Sequence, residues 1–258
     1  MSLPPDLASL LPTLEALARQ AGAAIMEVYG SDFAVLTKDD SSPVTAADER
    51  AEAIILPGLA RLTPGIPIVA EEQVAAGRIP AVGDGPFWLV DPLDGTKEFI
   101  KRNGEFTVNI GLIVGGVPSV GVVLAPAQNL LWAGAAGRAF KVDAAGTRHA
   151  IACRALPASG AVVLTSRSHR NPEAMEAWLA QFPGATLDFA GSSLKFCKVA
   201  EGSADLYPRF GPTCEWDTAA ASAVLLAAGG SVETFEGQAL AYAKLKFLNP
   251  DFIARGPR

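Results

Sequence analysis

A run of large apolar residues that ends in carboxylates constrains the fold more than any other feature of this sequence. Phe87-Trp88-Leu89-Val90 is followed at once by Asp91 and Asp94, with Gly95 behind them. A short apolar run of this kind is typical of a strand buried on both faces, and glycine permits the positive φ that a tight bend requires. The sequence therefore predicts a buried strand that delivers two carboxylates at its end.

The spacing of apolar residues divides the chain into an α+β half at 1–155 and an α/β half at 156–258. In the first half a helix is predicted at 12–29 and another from about Thr45, which Pro57 should kink or interrupt. The other predicted elements of this half are strands at 33–37, 66–70, 87–90, 107–114 and 120–124 and a strand pair at 130–142. Strands and helices then alternate in the second half: strands at 162–165, 186–189, 204–207, 231–234 and 252–254, and helices at 172–182, 193–200 and 217–228.

Composition excludes several classes of protein. With 27 acidic and 21 basic residues and a net charge of −6, the chain lacks the basic surface that binds long nucleic acid. It has no apolar stretch of membrane-spanning length and no signal-like N-terminus, so we expect a cytoplasmic protein without an integral membrane segment. Peripheral attachment at the inner membrane stays open. Three cysteines without a Cys-x-x-Cys pair indicate neither a disulfide framework nor a zinc site.

Further acidic residues accompany the Asp91 and Asp94 bend. They are Glu71-Glu72 at the end of the preceding predicted strand, Asp48 and Asp217. Asp48 is equally compatible with a capping box beginning at Thr45, and Asp217 with a helix N-cap. Clustered carboxylates repel one another unless a cation neutralises them. The combination therefore predicts a hard-metal site.

Magnesium is the metal that this set of donors favours. It prefers oxygen ligands, and a backbone carbonyl such as that of Leu93 can serve beside carboxylates. The chain contains only two histidines, His149 and His169, which disfavours zinc or non-haem iron.

Cationic and hydroxyl residues that could meet a phosphate lie elsewhere in the chain. Lys195 follows Gly191-Ser192-Ser193 at a predicted helix start, and Arg209 lies on the next predicted strand. Hydroxyls, amides and an ammonium could converge there on an anion, although from these residues alone a surface lysine on an ordinary capped helix is the favoured interpretation of Lys195. Lys97 and Lys38 could also meet phosphate or merely be solvated.

Three motifs in order resemble the inositol monophosphatase superfamily of lithium-sensitive, magnesium-dependent phosphatases. They are Glu71-Glu72, Asp91-Pro92-Leu93-Asp94-Gly95-Thr96 and Trp216-Asp217-Thr218-Ala219-Ala220, and the resemblance runs nearly end to end. Three further segments narrow it to the CysQ-type 3′(2′),5′-bisphosphate nucleotidases: residues 97–109, 191–197 and 206–213. Ala221 and Ser222 depart from the glycine that relatives often place after the last motif, without touching a predicted ligand.

The resemblance implies an α/β (α+β) fold, a layered αβαβα sandwich of the inositol monophosphatase and sugar phosphatase type. It implies hydrolysis of adenosine 3′,5′-bisphosphate, a by-product of sulfate assimilation, to AMP and phosphate with two or three Mg²⁺ ions. The first half then supplies the metal-site motifs and the second half the substrate-binding segments. The implied metal ligands are Glu71, Asp91, the Leu93 carbonyl, Asp94 and Asp217.

The same resemblance implies that Thr96 works with Glu71 or Asp48 to activate water. Together with the cationic and hydroxyl residues named above, it gives a set of substrate contacts: Glu71, Asp94, Gly95, Thr96, Lys97, Gly191, Ser192, Ser193, Lys195, Arg209 and Asp217. An inositol-phosphate or sugar-phosphate phosphatase is the alternative within the superfamily, because the metal motifs are common to all of them. A catalytically silent metal-gated binding module is the alternative from another class, and either a monomer or a homodimer is compatible with the sequence.

Overall fold

The structure is a computed structural model that describes residues 3–37, 43–166 and 171–257. Lys38 and His169 lie outside these ranges. The α-helices of the described chain are α1 (Leu11–Tyr29), α2 (Ala46–Leu62), α3 (Glu71–Ala75), α4 (Thr96–Ile100), α5 (Pro172–Leu179), α6 (Leu194–Ala200) and α7 (Glu215–Ala227). None of the helices in the described ranges has both the length and the apolar character needed to cross a membrane.

Most strands belong to two sheets. A seven-stranded sheet has the order β3-β4-β5-β6-β7-β8-β9 and is antiparallel except for the parallel pair of β3 and β4, and a five-stranded sheet has the order β11-β10-β12-β16-β14. Two short pairs, β1–β2 and β13–β15, lie outside them. The strands are β1 (Val35–Thr37), β2 (Pro43–Thr45), β3 (Ile68–Ala70), β4 (Phe87–Asp94), β5 (Thr107–Val114), β6 (Val117–Ala125), β7 (Leu130–Ala135), β8 (Arg138–Val142), β9 (Arg148–Ile151), β10 (Val162–Thr165), β11 (Thr186–Phe189), β12 (Leu206–Arg209), β13 (Thr213–Cys214), β14 (Ser231–Thr234), β15 (Leu248–Asn249) and β16 (Phe252–Arg255).

Alternating side chains place a layer of helices on each face of the seven-stranded sheet. On β4, Trp88 and Val90 pack in the core with α1 and α2, whereas Phe87 and Leu89 pack in the core with α6 and α7. Successive residues of a strand point to opposite faces. Because helices cover both faces of β4, the side chains on both faces are apolar. This explains why β4 reads as a continuous apolar run.

The five-stranded sheet continues the layering. Leu164 of β10 shares the core of α6 and α7, whereas its neighbour Val163 packs with Met175 and Trp178 of α5. The layers are therefore α1 and α2, the seven-stranded sheet, α6 and α7, the five-stranded sheet, and α5. The predicted αβαβα sandwich is confirmed.

Three glycines let α7 lie directly on the seven-stranded sheet. Gly111, Gly121 and Gly134 are register partners on β5, β6 and β7. A Cβ atom at Gly121 would lie 2.0 Å from the Ala220 carbonyl oxygen, and one at Gly134 would lie 2.7 Å from the Val224 Cα. Backbone contact therefore fixes the position of α7 and of its N-terminal turn. We name these three residues the glycine track.

The sequence predicts that Pro57 kinks or interrupts helix α2, and an interruption does not occur, because α2 is continuous from Ala46 to Leu62 with Pro57 inside it. Proline removes one backbone hydrogen bond from a helix. Ile55 and Leu59 on either side of it are fully buried in the core shared with α1, and this packing offsets the missing bond. The predicted strands and helices are all found in the predicted order, with bounds that differ by a few residues. The structure adds elements that were not predicted, which are α3, α4, β2, β9, β13 and β15.

Candidate active site

The carboxyl end of β4 forms the first wall of the site. Strand β4 continues past Val90 as far as Asp94, and its pairing with β5 shifts register between Asp91, opposite Asn109, and Asp94, opposite Thr107. The predicted tight bend is therefore a β-bulge, which re-aims side chains at a strand end. Gly95 has φ 91° and is the N-cap of α4, which confirms the predicted need for glycine there.

Four acidic residues from three segments of the fold meet at one cavity of about 260 Å³. Glu71 opens α3, Asp91 and Asp94 flank the bulge, and Asp217 lies in the first turn of α7. Most of the predicted site residues line this cavity. The complete lining is Glu71, Asp91, Leu93, Asp94, Gly95, Thr96, Lys97, Glu98, Ser166, Ser192, Ser193, Lys195, Phe196, Tyr207, Arg209, Thr213, Asp217 and Thr218.

Burial and the charges of neighbouring acids raise the pKa of Asp91, Asp94 and Asp217. Burial, followed by the charges of Glu71, Asp94, Asp217 and Asp48, raises the pKa of Asp91 well above its ordinary value. Within the described residues, no three acidic, histidine or cysteine side chains are drawn together tightly enough to ligate one ion. The acids therefore line the cavity without closing on a common centre.

Asp48 lies behind the cavity wall and contacts it through Thr96. Its Oδ2 accepts hydrogen bonds from the backbone N–H of Thr45 (2.8 Å) and the Thr45 hydroxyl (2.9 Å), and its Oδ1 lies 3.3 Å from Thr96 Oγ1. The Thr96 hydroxyl also lies 3.4 Å from the Leu93 carbonyl oxygen. The capping box therefore uses Oδ2 of Asp48, while Oδ1 faces Thr96 of the cavity lining.

Asp217 shares its carboxylate in the same way. Its Oδ2 accepts the Cys214 N–H at 2.8 Å as part of a capping box, while the residue also lines the cavity. Glu215, two residues before Asp217, is fully buried and accepts the backbone N–H groups of Ala243 and Lys244 at 2.9 and 2.8 Å. The first turn of α7 is thereby fixed on both sides of the acid. Burial, together with Asp94 and Glu71, raises the pKa of Asp217 well above its ordinary value.

The segment from Gly191 to Ser193 docks onto the β4 end. The Gly191 N–H donates to Glu105 Oε2 at 2.9 Å, and a Cβ at Gly191 would lie 2.5 Å from the Glu105 carbonyl oxygen. Ser192 adopts a positive φ of 52°, and its hydroxyl donates to Asp94 Oδ2 at 2.6 Å. Gly191 thus lies behind the cavity lining, whereas Ser192 and Ser193 are part of it.

Lys195 is buried in the wall of the cavity. Its ammonium donates to the carbonyl oxygens of Ala190 (3.1 Å) and Ser192 (2.5 Å) and lies 5.1 Å from the centre of the Tyr207 ring. Two of its three N–H donors are therefore engaged by the chain itself. Burial lowers the pKa of Lys195 to about 8, against the opposing effect of Asp94.

The other two cations of the cavity are less enclosed. Arg209 donates to the Gly211 and Pro212 carbonyl oxygens at 3.4 and 3.1 Å, and Lys97 is exposed at the cavity edge. Both positive side chains, with Lys195, line the same cavity as the carboxylates. The cavity therefore offers both anionic and cationic side chains to one ligand.

Sequence reasoning missed several residues of the site. Tyr207 lines the cavity with Arg209 because residues two apart on a strand share a face, so the strand pattern could have identified it. Glu98 is buried at the cavity although it resembles an ordinary polar helix residue. Thr107 and Asn109 lie behind Asp94, and nothing in an apolar strand pattern marks them as site residues.

Comparison with known proteins gives consistent results. Residues 6–256 match the model of the Inositol monophosphatase family. The chain is 51% identical over 239 residues to the 3′(2′),5′-bisphosphate nucleotidase CysQ of Escherichia coli O157:H7, covering 92% of this chain and 95% of that protein. Among solved structures, CysQ from Bacteroides thetaiotaomicron superimposes with a TM-score of 0.82 at 36% identity, covering 98% of each chain. The inositol monophosphatase from Anabaena superimposes with a TM-score of 0.77 at 29% identity, covering 97% of this chain and 92% of that one.

Proposed function

Because this chain belongs to the inositol monophosphatase family, we propose that it is a magnesium-dependent phosphomonoesterase that hydrolyses adenosine 3′,5′-bisphosphate to AMP and phosphate. A small nucleotide is then its partner. The 51% identity to a bisphosphate nucleotidase over nearly the whole chain favours this activity over an inositol-phosphate or sugar-phosphate phosphatase. Its setting would be the recycling of a sulfur-assimilation by-product in the cytoplasm.

The single observation that carries the proposal is that one cavity presents charges of both signs. The acids Glu71, Asp91, Asp94 and Asp217 line it together with the cations Lys195 and Arg209. A phosphate that entered a purely acidic site would be repelled, and a purely basic site would bind phosphate without activating water. Cations held between the acids and the phosphate resolve this conflict.

The donors of the site fit magnesium. They are carboxylates and the Leu93 carbonyl, which are the hard oxygen ligands that this ion prefers. The fit is supported by the position of Asp91, where burial first and the charges of neighbouring acids second raise its pKa. Magnesium commonly uses only one or two carboxylates for each ion and completes its shell with waters and substrate phosphates. Acids that line a cavity without closing on its centre suit this mode. When bound, the ions would stabilise negative charge on the attacking, transferring and leaving oxygens.

The chain itself positions the attacking water through Thr96. The Thr96 hydroxyl has one proton, and Asp48 Oδ1 and the Leu93 carbonyl oxygen are the acceptors within reach of it. The hydroxyl oxygen therefore keeps lone pairs that can accept a hydrogen bond from water. Asp48, held by two donors from Thr45, fixes this orientation and can receive a proton relayed through Thr96.

Backbone and side-chain donors would hold the substrate. Thr96 opens α4 directly after the αL residue Gly95, and its backbone N–H lies before the first intrahelical hydrogen bond and can donate to the reacting phosphate. Lys195 retains one N–H beyond the two bound by Ala190 and Ser192, and with Arg209 it would contact the second phosphate. Lys97 at the edge would attract the anionic substrate.

The proposal is tested by phosphate release from adenosine 3′,5′-bisphosphate, inositol 1-phosphate and fructose 1,6-bisphosphate, with Mg²⁺ or EDTA and with or without Li⁺. We expect the bisphosphate nucleotide to give the highest kcat/KM, only with Mg²⁺ and with inhibition by Li⁺. A higher kcat/KM for either of the other substrates would favour the sugar- or inositol-phosphate alternative. No phosphate release at any Mg²⁺ concentration would favour the silent binding module.

A matched pair of variants shows that the activity belongs to this cavity. Asp94→Asn removes one charge from the acidic wall and should lower kcat by several orders of magnitude, as expected for loss of electrostatic stabilisation. Asp84→Asn makes the same change on an exposed loop and should leave kcat unaltered. Normal Mg²⁺-dependent turnover by Asp94→Asn would contradict the assignment.

A further inference from the structure

A cluster of polar side chains joins the two halves of the chain directly behind Asp94. Ser192 and Ser193 come from the segment before α6, and Thr107 and Asn109 come from β5. The Thr107 hydroxyl contacts the hydroxyls of both serines, at 2.8 Å for Ser193. The Ser193 hydroxyl also donates to Asn109 Oδ1 at 2.8 Å, and Asn109 Nδ2 lies 3.5 Å from Asp94 Oδ2. We name these four residues the hydroxyl–amide cluster.

Counting protons fixes the direction of the hydrogen bonds that reach Asp94. An ionised carboxylate only accepts, so the single Ser192 proton lies on the 2.6 Å line to Asp94 Oδ2. Ser192 Oγ can then only accept from Thr107. The single Thr107 proton has three acceptors within reach, which are the Ser192 hydroxyl, the Ser193 hydroxyl and, at 3.3 Å, Asn109 Oδ1. Because Asn109 Oδ1 already accepts from Ser193, we assign the Thr107 proton to Ser192, whose own proton is directed at Asp94.

Thr107 is placed to act on the site without touching substrate. It is fully buried, it is absent from the cavity lining, and it is the register partner of Asp94 across the bulge. Its backbone thus pairs with the β4 end while its side chain holds the opposing segment. An apolar β-branched residue would also be favoured at this strand position, so packing alone does not require the Thr107 hydroxyl.

We propose that Thr107 is a positioning residue of the metal centre, whose hydroxyl fixes the Ser192 hydroxyl as donor to Asp94 and so sets the orientation of that carboxylate. This positioning role rests on the proposed function, because only a metal-dependent enzyme would use Asp94 as a metal ligand. Groups that hydrogen-bond to metal ligands set their orientation and basicity, and losing one commonly weakens metal binding 10- to 100-fold. Since Ser192 also lines the substrate cavity, Thr107 couples the position of the substrate-binding segment to that of the ligand.

The test compares Thr107→Val with Thr107→Ser in the metal-stripped protein, with Mn²⁺ uptake followed by the electron paramagnetic resonance signal of the free ion. Valine has the shape of threonine without its hydroxyl, whereas serine keeps the hydroxyl. We expect Thr107→Val to raise the Mn²⁺ concentration for half-saturation about 10-fold and Thr107→Ser to stay within about twofold of the unaltered protein.

Thr63→Val is the control for loss of a buried hydroxyl. Thr63 Oγ1 accepts a hydrogen bond from Trp88 Nε1 at 2.8 Å and lies outside the cavity lining. This variant should melt at a lower temperature but bind Mn²⁺ normally. If Thr107→Val fails to fold, Ser193→Ala removes the other hydroxyl partner of Thr107 and should still weaken Mn²⁺ binding several-fold.

The outcomes separate this inference from the proposed function. Unchanged Mn²⁺ affinity in Thr107→Val, or in Ser193→Ala where the valine variant does not fold, overturns the positioning role alone. Equal weakening in Thr107→Val and Thr107→Ser also overturns it, because the hydroxyl would then not be the cause. A lack of saturable Mn²⁺ uptake by the unaltered protein overturns the proposed function and this inference together.

Discussion

Replacing Asp91 by asparagine should stabilise the metal-free protein while abolishing its activity. Asp91 is 1% exposed, and its Oδ1 accepts the Leu93 N–H at 3.0 Å. Asparagine has the same shape and keeps this acceptor. The change therefore removes mainly a carboxyl group that costs free energy in the fold, whether it is buried as a charge or kept protonated by its neighbours.

The dependence on pH gives the sign of this effect. The folded pKa of Asp91 is raised above its ordinary value of 3.8, first by burial and then by neighbouring acids. The folded state consequently binds more protons than the unfolded state, so the free energy of unfolding falls as pH rises from about 3.8. Above the folded pKa the free energy of unfolding has fallen by the full amount. Asparagine does not titrate and so avoids this fall, which means that the stability difference between Asp91→Asn and the unaltered protein should shrink on acidification.

The expected gain at pH 7.5 is about 1–2 kcal/mol, the usual size for relieving one unfavourable interaction at a functional site. For a chain of this size it corresponds to a rise in Tm of roughly 2–8 °C. The assay is thermal unfolding in EDTA and then in increasing Mg²⁺. Added Mg²⁺ should stabilise the unaltered protein and have much less effect on Asp91→Asn, because only the former retains the full set of ligands.

Asp205→Asn provides the matched control with the opposite sign. Asp205 is also buried, but Arg154 binds both its carboxylate oxygens at 2.6 Å and the Val162 N–H donates to it. These contacts outweigh burial and lower its pKa, so the same substitution should cost about 1–3 kcal/mol. A folded Asp91→Asn protein that melts at or below the unaltered protein in EDTA would refute the account of repulsion among the acids.

Three further predictions concern the walls of the cavity. Thr96→Val should lower kcat about 100-fold while Thr96→Ser retains most of it; similar losses in both would argue against a role for the hydroxyl. Lys195→Ala should raise KM for adenosine 3′,5′-bisphosphate roughly 10-fold and KM for 3′-AMP much less, and equal losses on both substrates would exclude the second-phosphate contact. In the unaltered protein, the preference for the bisphosphate should fade as pH rises through the Lys195 pKa of about 8, since the ammonium is charged only below it. Gly121→Ala should lower the free energy of unfolding by about 1–3 kcal/mol through overpacking against the Ala220 carbonyl. In Gly85→Ala the added Cβ meets only one atom, at 4.0 Å, so Tm should stay unchanged, and equal effects of the two variants would contradict the close-contact argument.

The local part of the site was readable from the sequence because short-range chemistry determines it. An apolar run followed by two aspartates and a glycine requires a strand end and a positive φ, and Gly95 has both. The order of strands and helices followed from periodicity in the same way. Bringing Asp217 beside Asp91 depended instead on the resemblance, since no local rule relates residues so far apart in the chain.

Long-range packing accounts for what the sequence did not reveal. Pro57 appeared to break a helix, but a helix with buried residues on both sides of the proline is held by its core. Thr107 and Asn109 looked like minor polar interruptions of an apolar strand, and their partners lie in a segment more than 80 residues later. The engagement of Lys195 by two carbonyl groups was equally invisible, because backbone acceptors carry no sequence signal.

The glycine track has a consequence for how such an enzyme could change its substrate. At these three positions α7 meets the sheet through close backbone contacts, so a substitution there shifts the helix that carries Asp217. Substitutions are better tolerated on the wall formed by Ser166, Tyr207 and Arg209, which lie on or beside strands β10 and β12 of the five-stranded sheet. An engineer who seeks a new phosphate ester should randomise that wall and leave Gly111, Gly121 and Gly134 untouched.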